Sequence, residues 1–168
     1  LGLIWFDAHG DMNIPDSSPS GNIHGMPLAH ILGHGDPEFA GLAGDVPMIL
    51  PENVALVGIR QIDGCEKEVI SASGVHTFTM RDIDERGMGA VAKEILEVVN
   101  HDTAGFHLSF DVDGLDPADA SGVGTPVPGG VSFREAHLLL ENCADSGRMT
   151  SMEVVELNPI LDSGNASA

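Results

Sequence analysis

The stretch that decides the fold is LGLIWFDAHGDMN, residues 1–13, in which an apolar run passes directly into acidic residues and a histidine. Residues 1–7 predict a strand, and a nearly continuous apolar run is typical of a strand buried on both faces. Beyond the run, Asp7, His9 and Asp11 occupy alternate positions. If the segment stays extended, alternation directs all three side chains to the same side. The two carboxylates then repel each other unless a cation lies among them.

Four further apolar runs predict four more strands, at 53–59, 75–79, 106–113 and 152–157. Between the strands, helical spacing of apolar residues predicts a helix over 82–100, with Asp84 as its N-cap, and another over 132–147. Ser132 followed by Glu135 is a capping-box pattern at the start of the second helix. Strands that alternate with helices predict an α/β fold with a largely parallel sheet flanked by helices.

A second acidic cluster follows the fourth predicted strand, in SFDVDGLDP, residues 109–117. There Asp111 and Asp113 are again two positions apart. Each acidic cluster leads into a loop rich in Gly, Pro and Ser, at 15–22 and 114–130. Ligands of open α/β sheets bind outside the carboxyl ends of the strands. The two clusters are therefore expected to share one binding site at that edge of the sheet.

The two clusters together supply four carboxylates and one imidazole, and no thiolate. This oxygen-rich set suits Mn²⁺, with Mg²⁺ and Co²⁺ as alternatives. Bridging carboxylates hold two metals roughly 3.5–4 Å apart and lower the pKa of a shared water, which provides hydroxide for hydrolysis. The other interpretation is a pair of solvated strand ends with helix-capping carboxylates. The second cluster favours the metals, because so much half-buried negative charge would otherwise stay uncompensated.

The composition narrows the classes of partner. Seven basic and 26 acidic residues give a formal net charge of -19, which argues against nucleic acid and would suit a cationic small substrate. No apolar stretch approaches membrane-spanning length. Cys65 and Cys143 lie far apart without metal-type spacing, which favours reduced thiols and a cytoplasmic location over a disulfide. The chain begins inside a predicted strand and stops soon after another, so we expect residues 1–168 to be one partial domain, incomplete at both ends.

Five motifs, taken in order, resemble the ureohydrolases, the family of arginases, agmatinases and formiminoglutamases, and most of all its bacterial arginases. They are WFDAHGDMN, SGNIHGMP, SFDVDGLDP, GVGTPVPGG and EVVELNP. The resemblance implies a three-layer α/β/α fold with a central, mainly parallel sheet. It also implies two Mn²⁺ ions per subunit and a homo-oligomer, trimeric or hexameric, for the full-length protein. The implied reaction is hydrolysis of L-arginine to L-ornithine and urea by a hydroxide that bridges the two ions.

Carried over by position, the resemblance implies five metal ligands: Asp7, His9, Asp11, Asp111 and Asp113. A sixth family ligand, a histidine in a Gly-Gly-Asp-His motif, has no counterpart in these 168 residues. The resemblance also implies catalytic roles for His24, Asp113 and Glu156: His24 exchanges protons with solvent, Asp113 passes a proton to the departing nitrogen, and Glu156 anchors the guanidinium.

The substrate-binding residues implied by the resemblance are Asn13, Ser20, Asp63, Glu66, Thr125 and Glu156. Asn13 and Ser20 correspond to residues that bind the α-carboxylate of arginine, and Asp63 to one that faces the α-ammonium, with Glu66 expected on the same loop. Together these favour arginine over agmatine, which lacks the carboxylate. The alternatives are agmatinase or another guanidino-compound hydrolase, and a catalytically incompetent piece of such an enzyme.

Overall fold

The computed structural model describes residues 1–168 and contains one five-stranded sheet in which every neighbouring pair of strands is parallel. The strands are β1 (Gly2–Phe6), β2 (Val54–Ile59), β3 (His76–Thr79), β4 (Phe106–Asp111) and β5 (Met149–Val155). They lie in the order β3-β2-β1-β4-β5. The chain therefore builds outward from β1 on one side and then returns to build on the other. The switch in direction lies between β1 and β4, where open α/β sheets form their binding crevice.

Helices cover both faces of the sheet, which confirms the three-layer fold. They are α1 (Pro27–Ile31), α2 (Pro37–Ala40), α3 (Gly64–Ser73), α4 (Met80–Arg86), α5 (Met88–Asn100) and α6 (Phe133–Asp145). On one face, α4, α5 and α6 bury the larger apolar cluster, of 18 residues. On the other face, α1 and α3 contribute Leu28 and Ile70 to a cluster of nine. None of these helices is long and apolar enough to cross a membrane.

The strand predictions hold to within a few residues, but β5 differs in its surroundings. It begins at Met149 rather than 152 and ends at Val155, so Glu156 lies beyond the strand. All five runs were expected to be buried on both faces; this is confirmed for β1, β2 and nearly all of β4, and wrong for β3 and β5, which are largely not buried. The reason is that β3 and β5 are the two edge strands of the sheet, each with a single neighbouring strand.

The single helix predicted over 82–100 is wrong, because the chain forms two helices there. Gly87 separates α4 from α5 and has a φ of 78°, a left-handed backbone that glycine adopts without steric cost. The N-cap is also different from the predicted Asp84. Thr79 caps α4 through a reciprocal capping box with Asp82. The capping box predicted for α6 is confirmed, since the Ser132 and Glu135 side chains each bond the other's backbone N–H.

The helix α3 was not predicted, and it changes the placement of two candidate residues. Asp63 is its N-cap and accepts a hydrogen bond from the backbone N–H of Glu66. Glu66 therefore lies in the first turn of a helix and not on a loop. Gly74, with a φ of 89°, ends the helix. The apolar residues of α3 are few, and only Ile70 and Glu66 are buried, so its periodicity in the sequence is weak.

Candidate metal centre

The end of β1 brings Asp7 and His9 together through a bend. Asp7 Oδ1 accepts a hydrogen bond from the backbone N–H of His9 at 2.7 Å and lies 3.2 Å from His9 Nδ1. Asp7 Oδ2 accepts a hydrogen bond from Trp5 Nε1 at 3.1 Å. The strand stops at Phe6, and Asp11 has a left-handed backbone with a φ of 52°. The expected extended alternation of Asp7, His9 and Asp11 is therefore wrong, because the backbone bends where the polar residues begin.

The end of β4 supplies the second cluster in the same place. Asp111 is the last residue of the strand, and its Oδ1 accepts a hydrogen bond at 2.7 Å from the backbone N–H of Asp113, which lies in a 3₁₀ turn. Asp113 Oδ2 lies 3.2 Å from His9 Nδ1 and accepts a hydrogen bond from Thr125 Oγ1 at 2.9 Å. The two ends meet because β1 and β4 are parallel neighbours, with Phe6 in register with Phe110.

A potential ligand group is formed by Asp7, His9 and Asp113, whose donor atoms all lie within 4.8 Å of one another. Asp7 and Asp113 are buried, and His9 is partly exposed. Asp11 and Asp111, the other two predicted ligands, are buried beside this group and outside its 4.8 Å limit. Of the five residues predicted as ligands, the structure draws three into one tight group.

The electrostatics of the cluster show an excess of buried negative charge. Burial raises the pKa of Asp7 to about 6, and burial together with repulsion from Asp7 and Asp113 raises the pKa of Asp111 to about 9. The pKa of Asp11 is raised well above its usual range, by burial first and by Asp7 second. Burial alone would lower the pKa of His9, but its hydrogen bonds to Asp113 and Asp7 raise it to about 10. Without a metal, the protonated imidazole of His9 therefore supplies the positive charge that offsets the carboxylates of Asp7 and Asp113.

The donor set fits a divalent metal of intermediate hardness. It consists of carboxylate oxygens with one imidazole nitrogen, and Cys65 and Cys143 are both free and distant in sequence from it. Carboxylate-rich sites with one imidazole suit Mn²⁺, and thiolate-free sites of this kind are poor matches for structural zinc. The absence of a disulfide agrees with the prediction from the cysteine spacing.

A polar cavity of about 250 Å³ opens beside the cluster, and no hydrophobic residue lines it. Its lining includes five of the six predicted substrate residues, namely Asn13, Ser20, Asp63, Glu66 and Thr125, and also His24, which was predicted to be catalytic. Gln61 also lines it. A larger apolar cavity, of about 470 Å³, lies between α1 and α2. None of the predicted site residues lines it, although Ile23, the neighbour of His24, does. The polar cavity is the one that a charged substrate would enter.

Two of the lining carboxylates already have partners. Asp63 Oδ2 accepts a hydrogen bond from Asn13 Nδ2 at 2.9 Å, and the backbone and side-chain hydrogen bonds to Asp63 lower its pKa. Glu66 is buried, and its Oε1 accepts a hydrogen bond at 3.0 Å from the backbone N–H of Met12. Burial raises the pKa of Glu66. Glu66 therefore holds the loop after β1 in place in addition to lining the cavity.

Glu156 lies in a second, adjoining cavity of about 210 Å³. It follows β5 and has a φ of 63°, a strained backbone for a residue with a side chain. Asp11 and His24 line both cavities, so the two cavities adjoin at these residues. Glu153, which was not assigned to the site, lines the second cavity as well. Glu156 therefore lies beside Asp11 and His24, in a different cavity from Asn13.

Sequence reasoning missed Arg60, which directly follows β2 and makes a dense set of hydrogen bonds beneath the cluster. A signal was available. Arg60 is one of only seven basic residues, and it stands at the carboxyl end of a strand next to the acidic clusters.

Buried carboxylates and an imidazole at the switch point of a parallel sheet, beside a polar cavity, define a candidate hydrolytic metal centre. Comparison with known proteins agrees: the chain matches the Arginase family over residues 1–168 and belongs to that family. It is 51% identical to an arginase of Bacillus caldovelox over 168 residues, all of this chain and 56% of that protein. It is 53% identical to an arginase of Bacillus subtilis over 165 residues, 98% of this chain and 55% of that protein.

The fold comparison gives the same result. The crystal structure of native arginase from Bacillus caldovelox at pH 5.6 superposes with a TM-score of 0.96 at 51% identity, covering 99% of this chain and 56% of that one. The family resemblance and the α/β fold predicted from the motifs are thereby confirmed. The chain spans about half the length of the curated relatives it matches.

Proposed function

We propose that this protein is a metal-dependent hydrolase that cleaves the guanidinium group of L-arginine to L-ornithine and urea. The observation that carries the proposal is the convergence of Asp7, His9 and Asp113 within 4.8 Å at the carboxyl ends of β1 and β4. The relatives at about half identity are arginases. The polar cavity beside the cluster and the net charge of -19 suit a cationic substrate.

The metal of the proposal is Mn²⁺, two ions in the complete enzyme. Asp7, His9 and Asp113, which lie in one tight group, would hold the metal together with the neighbouring Asp11 and Asp111. When bound, the ions would supply a hydroxide nucleophile at neutral pH. The support is the chemistry of the donor set, in which carboxylate oxygens predominate and repel one another without a cation.

The chain's own residues would position the substrate and move protons. Thr125 Oγ1 donates to Asp113 Oδ2 and so fixes one carboxylate oxygen, which leaves Asp113 Oδ1 beside the backbone N–H of Ala8 at 3.3 Å. Asp113 would then pass a proton to the departing nitrogen. Glu156 would bind the planar guanidinium through charge-assisted hydrogen bonds. His24 lines both cavities and would exchange a proton between the site and solvent.

The amino-acid end of the substrate would lie in the 250 Å³ cavity. Asn13 and Ser20 offer an amide and a hydroxyl to the α-carboxylate, and Asp63 and Glu66 offer negative charge to the α-ammonium. Asn13 and Asp63 are already joined by a 2.9 Å hydrogen bond, so they would act as one preformed unit. Agmatine has no carboxylate to accept hydrogen bonds from Asn13 and Ser20, which favours arginine.

The proposal extends to the location and assembly of the protein. We infer a cytoplasmic protein, because Cys65 and Cys143 are both free, and an exposed thiol such as Cys65 persists in a reducing compartment. We also propose that the full-length protein is a homo-oligomer, a trimer or hexamer, on the basis of the family resemblance.

The proposal is tested by urea release from arginine and from agmatine, side by side, with added Mn²⁺ and with chelator. Mn²⁺-dependent urea from arginine alone is the expected result, with His9→Ala as the inactive variant and His101→Ala, an exposed histidine outside the site, as its matched control. Urea from agmatine instead would contradict the roles of Asn13, Ser20 and Asp63. Urea from neither substrate, with no Mn²⁺ bound in a calorimetric titration, would contradict the metal centre itself.

A further inference from the structure

The side chain of Arg60 reaches from the end of β2 to the segments that follow β4. Its guanidinium is half-buried and donates hydrogen bonds of 2.7 to 3.2 Å to backbone carbonyls in three places. The acceptors are the carbonyl oxygens of Gly58, Asp113, Gly114, Leu115 and Val127. In a chain with 26 acidic residues, this cation bonds to carbonyl oxygens and to no carboxylate.

The acceptors belong to the segments that carry the candidate ligands. Asp113, Gly114 and Leu115 form the turn after β4, and Arg60 Nη2 lies 2.8 Å from the Asp113 carbonyl oxygen. Val127 lies two residues beyond Thr125, whose hydroxyl bonds the Asp113 carboxylate. The backbone N–H of Arg60 also donates to the carbonyl of Ala8, between Asp7 and His9, at 3.0 Å. One residue thus joins all three segments that build the cluster.

The geometry requires a guanidinium. Its five N–H donors have a fixed planar arrangement, whereas a lysine ammonium is a single point on a flexible stem. The packing beside Arg60 is equally close at Gly130, where a Cβ would lie 2.6 Å from Arg60 Nη2 and also 2.6 Å from the backbone atoms Asp116 N and Leu115 C. The loop that bears Val127 can therefore lie against both Arg60 and the turn after β4 because it has no side chain at this point.

From this arrangement we infer that Arg60 is a positioning residue for the metal centre: its guanidinium fixes the turn of Asp113 and the loop of Thr125 relative to His9. The inference rests on the proposed function, since it concerns the same centre. The Arg60 side chain donates to backbone carbonyls and not to the side chains of Asp7, His9 and Asp113, so it acts through the backbone and not as a ligand.

Arg60 could affect Mn²⁺ binding through its positive charge or by positioning the ligands, and the two explanations predict opposite changes in Mn²⁺ affinity. A fixed positive charge near a metal site repels Mn²⁺, so if Arg60 acted through its charge alone, Arg60→Met would tighten Mn²⁺ binding and Arg60→Lys would leave it unchanged. If Arg60 positions the ligands, both variants weaken Mn²⁺ binding, because neither methionine nor lysine has the five N–H donors in a fixed planar arrangement. Changes to groups that orient ligands weaken metal affinity roughly 10- to 100-fold.

The experiment is a calorimetric Mn²⁺ titration of the 168-residue chain, at a temperature where circular dichroism shows each variant to be folded. Both Arg60 variants are expected to bind at least about tenfold more weakly than the wild type. The matched control is Arg134→Met, which removes an exposed arginine of α6 whose partner is Glu141 at 3.5 Å, and it is expected to change affinity less than about twofold. Since every chain is folded during the titration, an Arg60 that contributed only to the stability of the fold, and not to the position of the ligands, would leave the affinity for Mn²⁺ unchanged.

A second readout does not need the metal. Amide hydrogen exchange of Leu115, Asp116 and Val131, whose N–H groups are bonded within the Arg60-bound segments, is expected to rise at least about tenfold in Arg60→Lys, and to stay unchanged in α5. A Thr125→Val change is expected to weaken Mn²⁺ binding less in Arg60→Lys than in the wild type, because both residues act on Asp113.

The outcomes are distinguishable. Unchanged exchange at these three amides, or Mn²⁺ binding that tightens in Arg60→Met, would overturn the positioning role. Wild-type chain that binds no Mn²⁺ while Arg60→Lys raises the exchange would overturn the proposed function, and would reduce Arg60 to a residue that fixes these loops.

Discussion

Raising the pH is expected to strengthen Mn²⁺ binding steeply, because the metal-free cluster holds protons that the metal must displace. The raised values are about 10 for the pKa of His9, about 9 for that of Asp111 and about 6 for that of Asp7. At pH 7, His9 and Asp111 both carry a proton, and Asp7, one unit above its pKa, is only about one-tenth protonated. Metal ligands must be deprotonated, so binding through His9 and Asp111 releases about two protons.

The magnitude follows from this proton count. Each proton released makes the affinity rise about tenfold per pH unit, or about 1.4 kcal/mol, so two protons imply roughly a 100-fold gain between pH 7 and pH 8. Below pH 6, Asp7 also becomes protonated, and the slope rises toward three protons. The raised pKa of Asp11 acts in the same direction. The metal-free chain has the opposite dependence: ionising Asp7 costs stability as the pH rises from its unfolded value of 3.8 through about 6.

The assay is calorimetric Mn²⁺ titration at pH 7 in two buffers that differ in ionisation enthalpy, which counts the protons released. His9→Ala is expected to release about one proton fewer than the wild type, and His101→Ala, an exposed residue outside the cluster, the same number. Release of fewer than about one proton by the wild type, or an affinity that does not rise with pH, would refute the reasoning.

Two further predictions concern the scaffold. Ser132→Ala removes the side-chain cap of α6 and is expected to lower the free energy of unfolding, measured by urea titration, by about 1 kcal/mol. An unchanged free energy of unfolding would show that the capping box does not stabilise the protein. Leu139→Ala opens a cavity in the larger apolar cluster, where Leu139 is fully buried, and is expected to cost about 2–5 kcal/mol. The matched control, Leu42→Ala, changes a side chain that is 76% exposed and is expected to stay within about 0.5 kcal/mol. Equal losses from both leucines would contradict the assignment of the core.

Local interactions explain which features could be predicted from the sequence. The capping box of Ser132 and Glu135 is formed by residues three apart, so its pattern reads directly as structure. The continuous apolar runs of β1, β2 and β4 predict buried parallel strands because such strands meet helices on both faces. The identity of the candidate ligands was also predictable, because polar residues at the carboxyl ends of neighbouring strands must share one edge.

Other local signals were weaker than the competing ones. The helical spacing of apolar residues continues through 82–100, so it concealed the break at Gly87. There the glycine adopts a left-handed backbone that ends one helix before the next begins. The helix α3 has too few apolar residues to show a helical pattern in the sequence, and its start depends on the Asp63 cap. In both cases the deciding interaction was a single backbone or capping feature, which a periodic pattern does not register.

The sequence by itself determined the class of fold, the two acidic clusters and the chemistry of their side chains. The tertiary structure decided which of them meet. His9 contacts Asp113, 104 positions away along the chain, and Arg60 bonds carbonyls 53 to 67 positions away. The backbone bend at Asp11 and the meeting of two cavities at Asp11 and His24 are likewise set by packing. The physical reason is that contacts between distant segments depend on strand order and register, which no local pattern of residues encodes.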